Sequence, residues 1–339
     1  MLKINKYIEL VIKYEYSWIM NNLWYDNFLD SLCERYPHKA RLTEALMDLL
    51  AIEREAVYRR LRKDVLFPFH EAVKIAKVWN ISIDAIANIT TGHSHSFRLE
   101  TLKYISPAKE DIDAMNAFVD FLDRFASSPD SEYMEATNIL PRSLFTGFPQ
   151  LARYYIFKWM YQCGTENDTY SFAQVVLPEK IRQIGNRYFN SIKNVANIGY
   201  IWDPMIFNYL VNDIRYFTSI YLITEEDKEL LKSELFAFLD YMSVVSSKGC
   251  FPETGKRVNL YISQINLDTN YSYFYSKDMR VSKVRTFIKY ELSSTDVEMA
   301  ENFKKWLNLK RRSSIQISGV DELKRIEFFM KQRQLIDGL

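Results

Sequence analysis

The sequence predicts a mainly α protein: a five-helix head, a helical middle region and a smaller α+β C-terminal region with an antiparallel sheet. Three observations carry this division. Apolar residues recur at helical spacing from Leu23 to about residue 250, and the period then drops to two, with Val258, Leu260 and Ile262 alternating with polar neighbours. The 339 residues exceed one core of about 150 residues, so two to three domains are expected. Hydrophobic residues at 48% and charged ones at 26% match globular chains, which run at about 45–50% and about 25%.

The elements follow in order. Residues 1–21 form an N-terminal extension whose apolar stretch is broken by Lys3, Lys6, Glu9, Lys13 and Glu15, unlike the uncharged centre of a signal peptide. Met20 stands directly before a better-patterned helix and is an alternative start. The head spans 22–90. Leu23, Trp24, Phe28, Leu29 and Leu32 give its first helix, which Pro37 closes. A second helix covers 41–50, a turn Ala51–Glu53, and a third helix 54–62, on which Val57 and Leu61 face inward at i and i+4. Pro68 opens a fourth helix that ends at Asn80, and Ser82 caps a fifth over 83–89.

Small polar residues replace the periodicity at 91–107, the expected linker. Helical segments then follow at 108–126, 131–139, 150–163, 178–196, 202–220 and 225–246, making 108–250 a helical domain. The α+β region, 251–339, places strands at 257–266, 270–276 and 284–292 in an antiparallel sheet. A helix at 295–309, a short strand at 313–318 and a final helix at 320–335 complete it.

Composition removes several function classes. Glycine numbers 9 of 339, against a usual level of about 7%, and neither a dinucleotide-binding G-x-G-x-x-G nor a phosphate-binding P-loop is present; Gly255-Lys256 lacks the residues around it that a phosphate cradle needs. A net charge of +1 gives no global field toward nucleic acid, so any basic surface is local. Cys33, Cys163 and Cys250 are odd in number and widely spaced, which fits free thiols in a reducing, cytoplasmic compartment. No apolar run approaches the roughly 20 residues of a membrane span.

The informative motif is Thr-Glu-Ala-Leu-Met-Asp-Leu-Leu-Ala-Ile-Glu-Arg-Glu-Ala-Val-Tyr-Arg-Arg-Leu-Arg, residues 43–62. Helix, three-residue turn, helix is the arrangement that presents a second helix to the DNA major groove. This stretch resembles the helix-turn-helix of the lambda-repressor-like (XRE) regulators, and residues 71–86 are similar to the fourth and fifth helices that follow it there. Ala-Val-Tyr-Arg-Arg-Leu-Arg at 56–62 with Phe67-Pro68-Phe69 is similar to the BetR-type branch. The resemblance covers residues 22–90. Met47 stands where a small Ala is usual, Ala51 where Gly makes the turn, and Lys63-Asp64 where Gly often ends the third helix.

The resemblance implies DNA-binding residues. Arg54, Glu55, Tyr58 and Arg59 would meet base edges, while Thr43, Arg62 and Lys63 would meet phosphate. The expected protein is therefore a cytoplasmic transcription regulator that binds double-stranded DNA as a homodimer. Its C-terminal region would dimerise or respond to a small-molecule or protein effector. No enzyme activity, cofactor or metal is expected. The alternative is a protein-interaction module that keeps the fold without DNA binding, consistent with Glu53, Glu55 and Asp64 among the arginines.

Weaker signals have plain explanations. His93 and His95 lack neighbouring Cys or carboxylate ligands and fit a linker. Thr224 with Glu225, Glu226 and Asp227 fits a helix start, Tyr261, Tyr271, Tyr273, Phe274 and Tyr275 fit packing across a sheet, and Lys310-Arg311-Arg312 fits a solvated basic turn.

Overall fold

The computed structural model describes residues 24–33, 35–36, 38–79, 81–83, 86, 97–101, 103, 106–163, 170–286 and 290–339. The chain divides into two compact units, Met1–Ser96 and Phe97–Leu339. No helix among the described residues is long and apolar enough to cross a membrane.

In the first unit, α1 covers 24–33, α2 Lys39–Leu50, α3 Arg54–Leu61 and α4 Phe69–Trp79. Their inward stripes form one core: Tyr25, Phe28, Leu29 and Leu32 from α1, Leu42 and Leu46 from α2, Val57 from α3, and Ile75 and Trp79 from α4, with Phe67 and Ile86. Of the expected fifth helix, most residues lie outside those described, as do the extension at 1–21 and His93 and His95.

The second unit is an α/β structure around an eight-stranded mixed sheet. Its elements in chain order are β1 (Arg98–Glu100), α5 (Lys109–Ala126), β2 (Glu132–Thr137), α6 (Arg142–Phe145), α7 (Pro149–Cys163), α8 (Glu179–Ile192) and β3 (Asn197–Trp202). There follow α9 (Ile206–Ser219), α10 (Glu225–Lys248), β4 (Arg257–Ser263), β5 (Tyr271–Tyr275), β6 (Arg280–Thr286), β7 (Tyr290–Ser294), α11 (Val297–Arg312), β8 (Ser314–Gln316) and α12 (Glu322–Asp337). The strand order is β1-β7-β6-β5-β2-β3-β4-β8. Strands β2, β3 and β4 run parallel and every other neighbouring pair is antiparallel. Parallel neighbours need long crossovers, here α6–α8 between β2 and β3 and α9–α10 between β3 and β4.

The strand period of two divides the side chains between the faces. Tyr133, Ile198, Tyr200, Trp202, Val258, Leu260 and Phe274 meet α5, α7, α9, α10 and α12 in the large core. Met134, Ala136, Ile201, Tyr261 and Tyr273 meet Leu307 of α11 on the opposite face.

This corrects the expected helical middle region and its separation from an α+β tail, because residues 108–250 and 251–339 share one sheet. The segment 131–139 is not helical. Five successive side chains of β2, Tyr133 to Thr137, are buried, so the strand has no polar alternation and imitates a short helix in the sequence. Likewise β3, Asn-Ile-Gly-Tyr-Ile-Trp, is an apolar run absorbed between two helical patterns. The expected antiparallel sheet is also corrected: β4 lies parallel beside β3, and two strands, β2 and β3, separate it from β5. The single strand expected at 284–292 is replaced by the hairpin partners β6 and β7, whose alternation continues without a Gly, Pro or Asn turn signal. In the expected linker, β1 is a strand of three residues, too short to show a period.

Candidate functional site

The outer surface of α3 is the candidate site, and its presentation begins with the turn before it. Helix α2 ends at Ala51 with φ 55° and ψ 45°, and the Ala51 amide donates to Met47 O at 2.8 Å. A residue with a Cβ is held in the left-handed region at the position where the resemblance leads one to expect glycine. Lys63, at the other expected glycine position, is also left-handed, with φ 68°. The two departures in sequence are therefore departures in residue type with the glycine-like backbone kept.

Two residues sink α3 into the head. Val57 is fully buried. Arg60 turns inward, where its Nε and Nη2 donate to the two carboxylate oxygens of Glu71 on α4 at 2.7 and 2.9 Å. Its guanidinium also lies over the Phe67 ring, 5.8 Å from the centroid. The Tyr25 hydroxyl donates to Arg60 O at 3.1 Å and accepts from the Phe67 amide at 3.2 Å, joining α1, α3 and the segment before α4. Burial raises the Tyr25 phenol, with the Phe67 amide and the Arg60 charge pulling it back. Sequence reasoning does not single out Tyr25, Arg60 and Glu71 as a supporting group, because they lie on three different helices.

With Val57 and Arg60 inward, Arg54, Glu55 and Arg59 are exposed and Tyr58 is half-buried. Arg62 pairs with Glu55 at 2.9 Å and with Asp64 at 3.2 Å, both in exposed positions, and Lys63 pairs with Asp26. Among the described residues neither Arg54 nor Arg59 has an ion-pair partner. Thr43 requires correction. Its side chain is 1% exposed and its hydroxyl donates to Lys39 O at 2.8 Å within α2, so it is not presented to a phosphate.

The minor signals resolve locally. Thr224 caps α10 by accepting from the Asp227 amide at 3.1 Å. Lys310, Arg311 and Arg312 form the last turn of α11, where cations suit the carbonyl end of a helix, and not a loop. Cys33 and Cys250 are free thiols.

No family model, curated protein or solved structure matches the chain.

Proposed function

We propose that the protein is a sequence-specific DNA-binding transcription regulator whose α3 enters the major groove. The observation that carries the reading is the division of labour along α3: Val57 and Arg60 hold the helix in the core, while Arg54 and Arg59 stand exposed, without an ion-pair partner among the described residues. Such an arginine can give two hydrogen bonds to guanine O6 and N7, worth about 1–3 kcal/mol of discrimination. Arg62 and Lys63 contribute positive charge near the phosphates, reduced by their acidic partners. One short helix reads few bases, so two copies acting as a homodimer supply the required length of site, and unit 97–339 carries the response to an effector.

A specific observation also favours the protein-interaction reading. Phe69 is 78% exposed at the start of α4, with Val73 one turn on and Val65 and Leu66 just before it, all apolar and open to solvent. One experiment separates the readings: fragmented host DNA is mixed with the full-length protein and bound fragments are sequenced, in parallel with Arg54→Ala/Arg59→Ala. Enrichment of a short palindromic site that the folded double variant loses, with affinity falling steeply as salt rises, supports the regulator. A folded wild-type protein that enriches no sequence overturns it in favour of the interaction module.

A further inference from the structure

Helix α12 carries apolar residues on two opposite sides, and only one side is covered by its own chain. Phe329 and Ile336 are buried in the large core, with Phe328 and Leu335 packed beside them. On the other side Leu323, Ile326 and Met330 follow one another at spacings of three and four residues and so form one stripe. They are 76, 49 and 57% exposed. A helix that is apolar all round belongs in an interior, so the stripe marks a surface that another molecule covers.

Charged residues border the stripe, and their order says what covers it. Glu327 and Lys331, about one turn apart, line one edge; Glu322 and Arg333, about three turns apart, line the other. Glu327 is bonded by Lys324 at 2.8 Å and Arg333 bonds Asp240 of α10, while Lys331 has no ion-pair partner among the described residues. On both edges the acid precedes the base. The stripe therefore begins acidic and ends basic, and its complement is the same stripe running in the opposite direction.

We propose that this face of α12 binds the same face of a second copy of the chain, antiparallel about a two-fold axis level with Phe328. Ile326 of one copy then meets Met330 of the other, twice by symmetry. In an antiparallel pair like edges meet. Glu327 comes within about 3 Å, measured along the helix, of Lys331 of the second copy, and Glu322 within about 1.5 Å of Arg333, so both pairs are within side-chain reach. In a parallel pair opposite edges would meet, and Lys331 would lie beside Arg333 of the other copy. The antiparallel interface has an apolar centre and a charged rim. It rests on the reading that the protein acts as a homodimer, and it assigns the pairing to the second unit.

Sedimentation velocity of the full-length protein without DNA tests this. The parent should be a dimer at micromolar concentration, and Ile326→Glu should be a monomer there with an unchanged thermal melting curve. Glu327→Lys and Lys331→Glu should each raise the dimer Kd about tenfold, because two exposed pairs of opposite charge become pairs of like charge. An equimolar mixture of these two variants should regain the parent Kd, since every contact along that edge then joins opposite charges, a rescue that pairing within one chain does not produce. A monomeric parent, an Ile326→Glu protein that stays dimeric, or a mixture no tighter than its components would overturn the proposal. Selection of bound DNA with the same proteins separates the two readings. Dimers lost in Ile326→Glu, from a parent that enriches no sequence, support the interface and overturn the regulator; a palindromic site enriched by a parent whose dimers survive Ile326→Glu does the reverse.

Discussion

Arg60 and Glu71 face each other through two hydrogen bonds of 2.7 and 2.9 Å, joining α3 to α4 beneath the surface that Arg54 and Arg59 present to solvent. Both side chains are largely buried, so removing one leaves the other charge without its partner. Such losses cost about 3–5 kcal/mol, whereas replacing both charges by apolar groups of similar volume is often neutral. Arg60→Met and Glu71→Leu should each increase hydrogen exchange across residues 42–61, and the double variant should recover most of the protection. Additive losses would show that the pair contributes as two independent side chains.

Outward and inward polar groups on α2 and α3 should separate cleanly in DNA binding. Thr43→Val keeps the shape of a buried side chain and removes one intrahelical hydrogen bond, so affinity for the selected site should stay within about twofold at a stability cost of about 1 kcal/mol. Arg59→Ala should leave the melting temperature unchanged and weaken specific binding by about 1–3 kcal/mol, or roughly 5- to 150-fold. Fluorescence anisotropy on the selected duplex, with a scrambled duplex beside it, measures both. An Arg59→Ala protein that loses affinity equally for the two duplexes would reassign Arg59 from base to phosphate contact.

The first four helices of the head were legible because each has a solvated side, so Leu42, Leu46, Val57 and Ile75 fall on a 3.6-residue period against polar neighbours. The central sheet was not. Strands β2 and β3 are covered on both faces: Tyr133, Ile198 and Tyr200 point into one core, and Met134, Ala136 and Ile201 into the other. A strand wet on neither side carries no alternation, and only three-dimensional pairing identifies it. The same limit applies to sites. Arg54 and Arg59 could be picked out by position on a helix, but Arg60 and Glu71 are eleven residues apart, and Glu135, Arg285 and Glu291 are brought together by register across β2, β5, β6 and β7.

Ala51 should be a place to gain stability. Its φ of 55° costs a residue with a Cβ about 1–2 kcal/mol, while glycine adopts the same geometry freely. Part of the gain is offset because glycine loses more conformational freedom on folding, leaving a net increase of about 0.5–1 kcal/mol for Ala51→Gly. Ala51→Val, with a branched Cβ, should move in the opposite direction. Urea unfolding followed by exchange in α2 checks the order Gly above Ala above Val; a Gly variant less stable than the parent would mean that the left-handed turn is not kept in solution.

Acid and base should act oppositely on the two buried carboxylates of the second unit. Burial raises Glu135, only partly offset by Arg285 and the Tyr133 hydrogen bond, so the folded state keeps this proton to a higher pH than the unfolded chain. Folded protein then binds more protons over the interval above the unfolded glutamate value of about 4.3, and the Glu135 contribution to stability falls as pH rises through that interval. Burial also acts to raise Glu291, but Arg142, Lys283 and Arg285 together overcome it and hold its carboxyl well below the usual range. Its stabilisation is present above the unfolded value and is lost as pH falls through the depressed folded one. Glu291→Gln should cost about 3–5 kcal/mol at neutral pH, since three cations lose their shared partner. Glu135→Gln keeps an acceptor for Tyr133, and its melting temperature should gain on that of the parent as pH rises from about 4 toward 7. Parallel curves for the parent and Glu135→Gln would show that Glu135 ionises alike in the folded and unfolded chain.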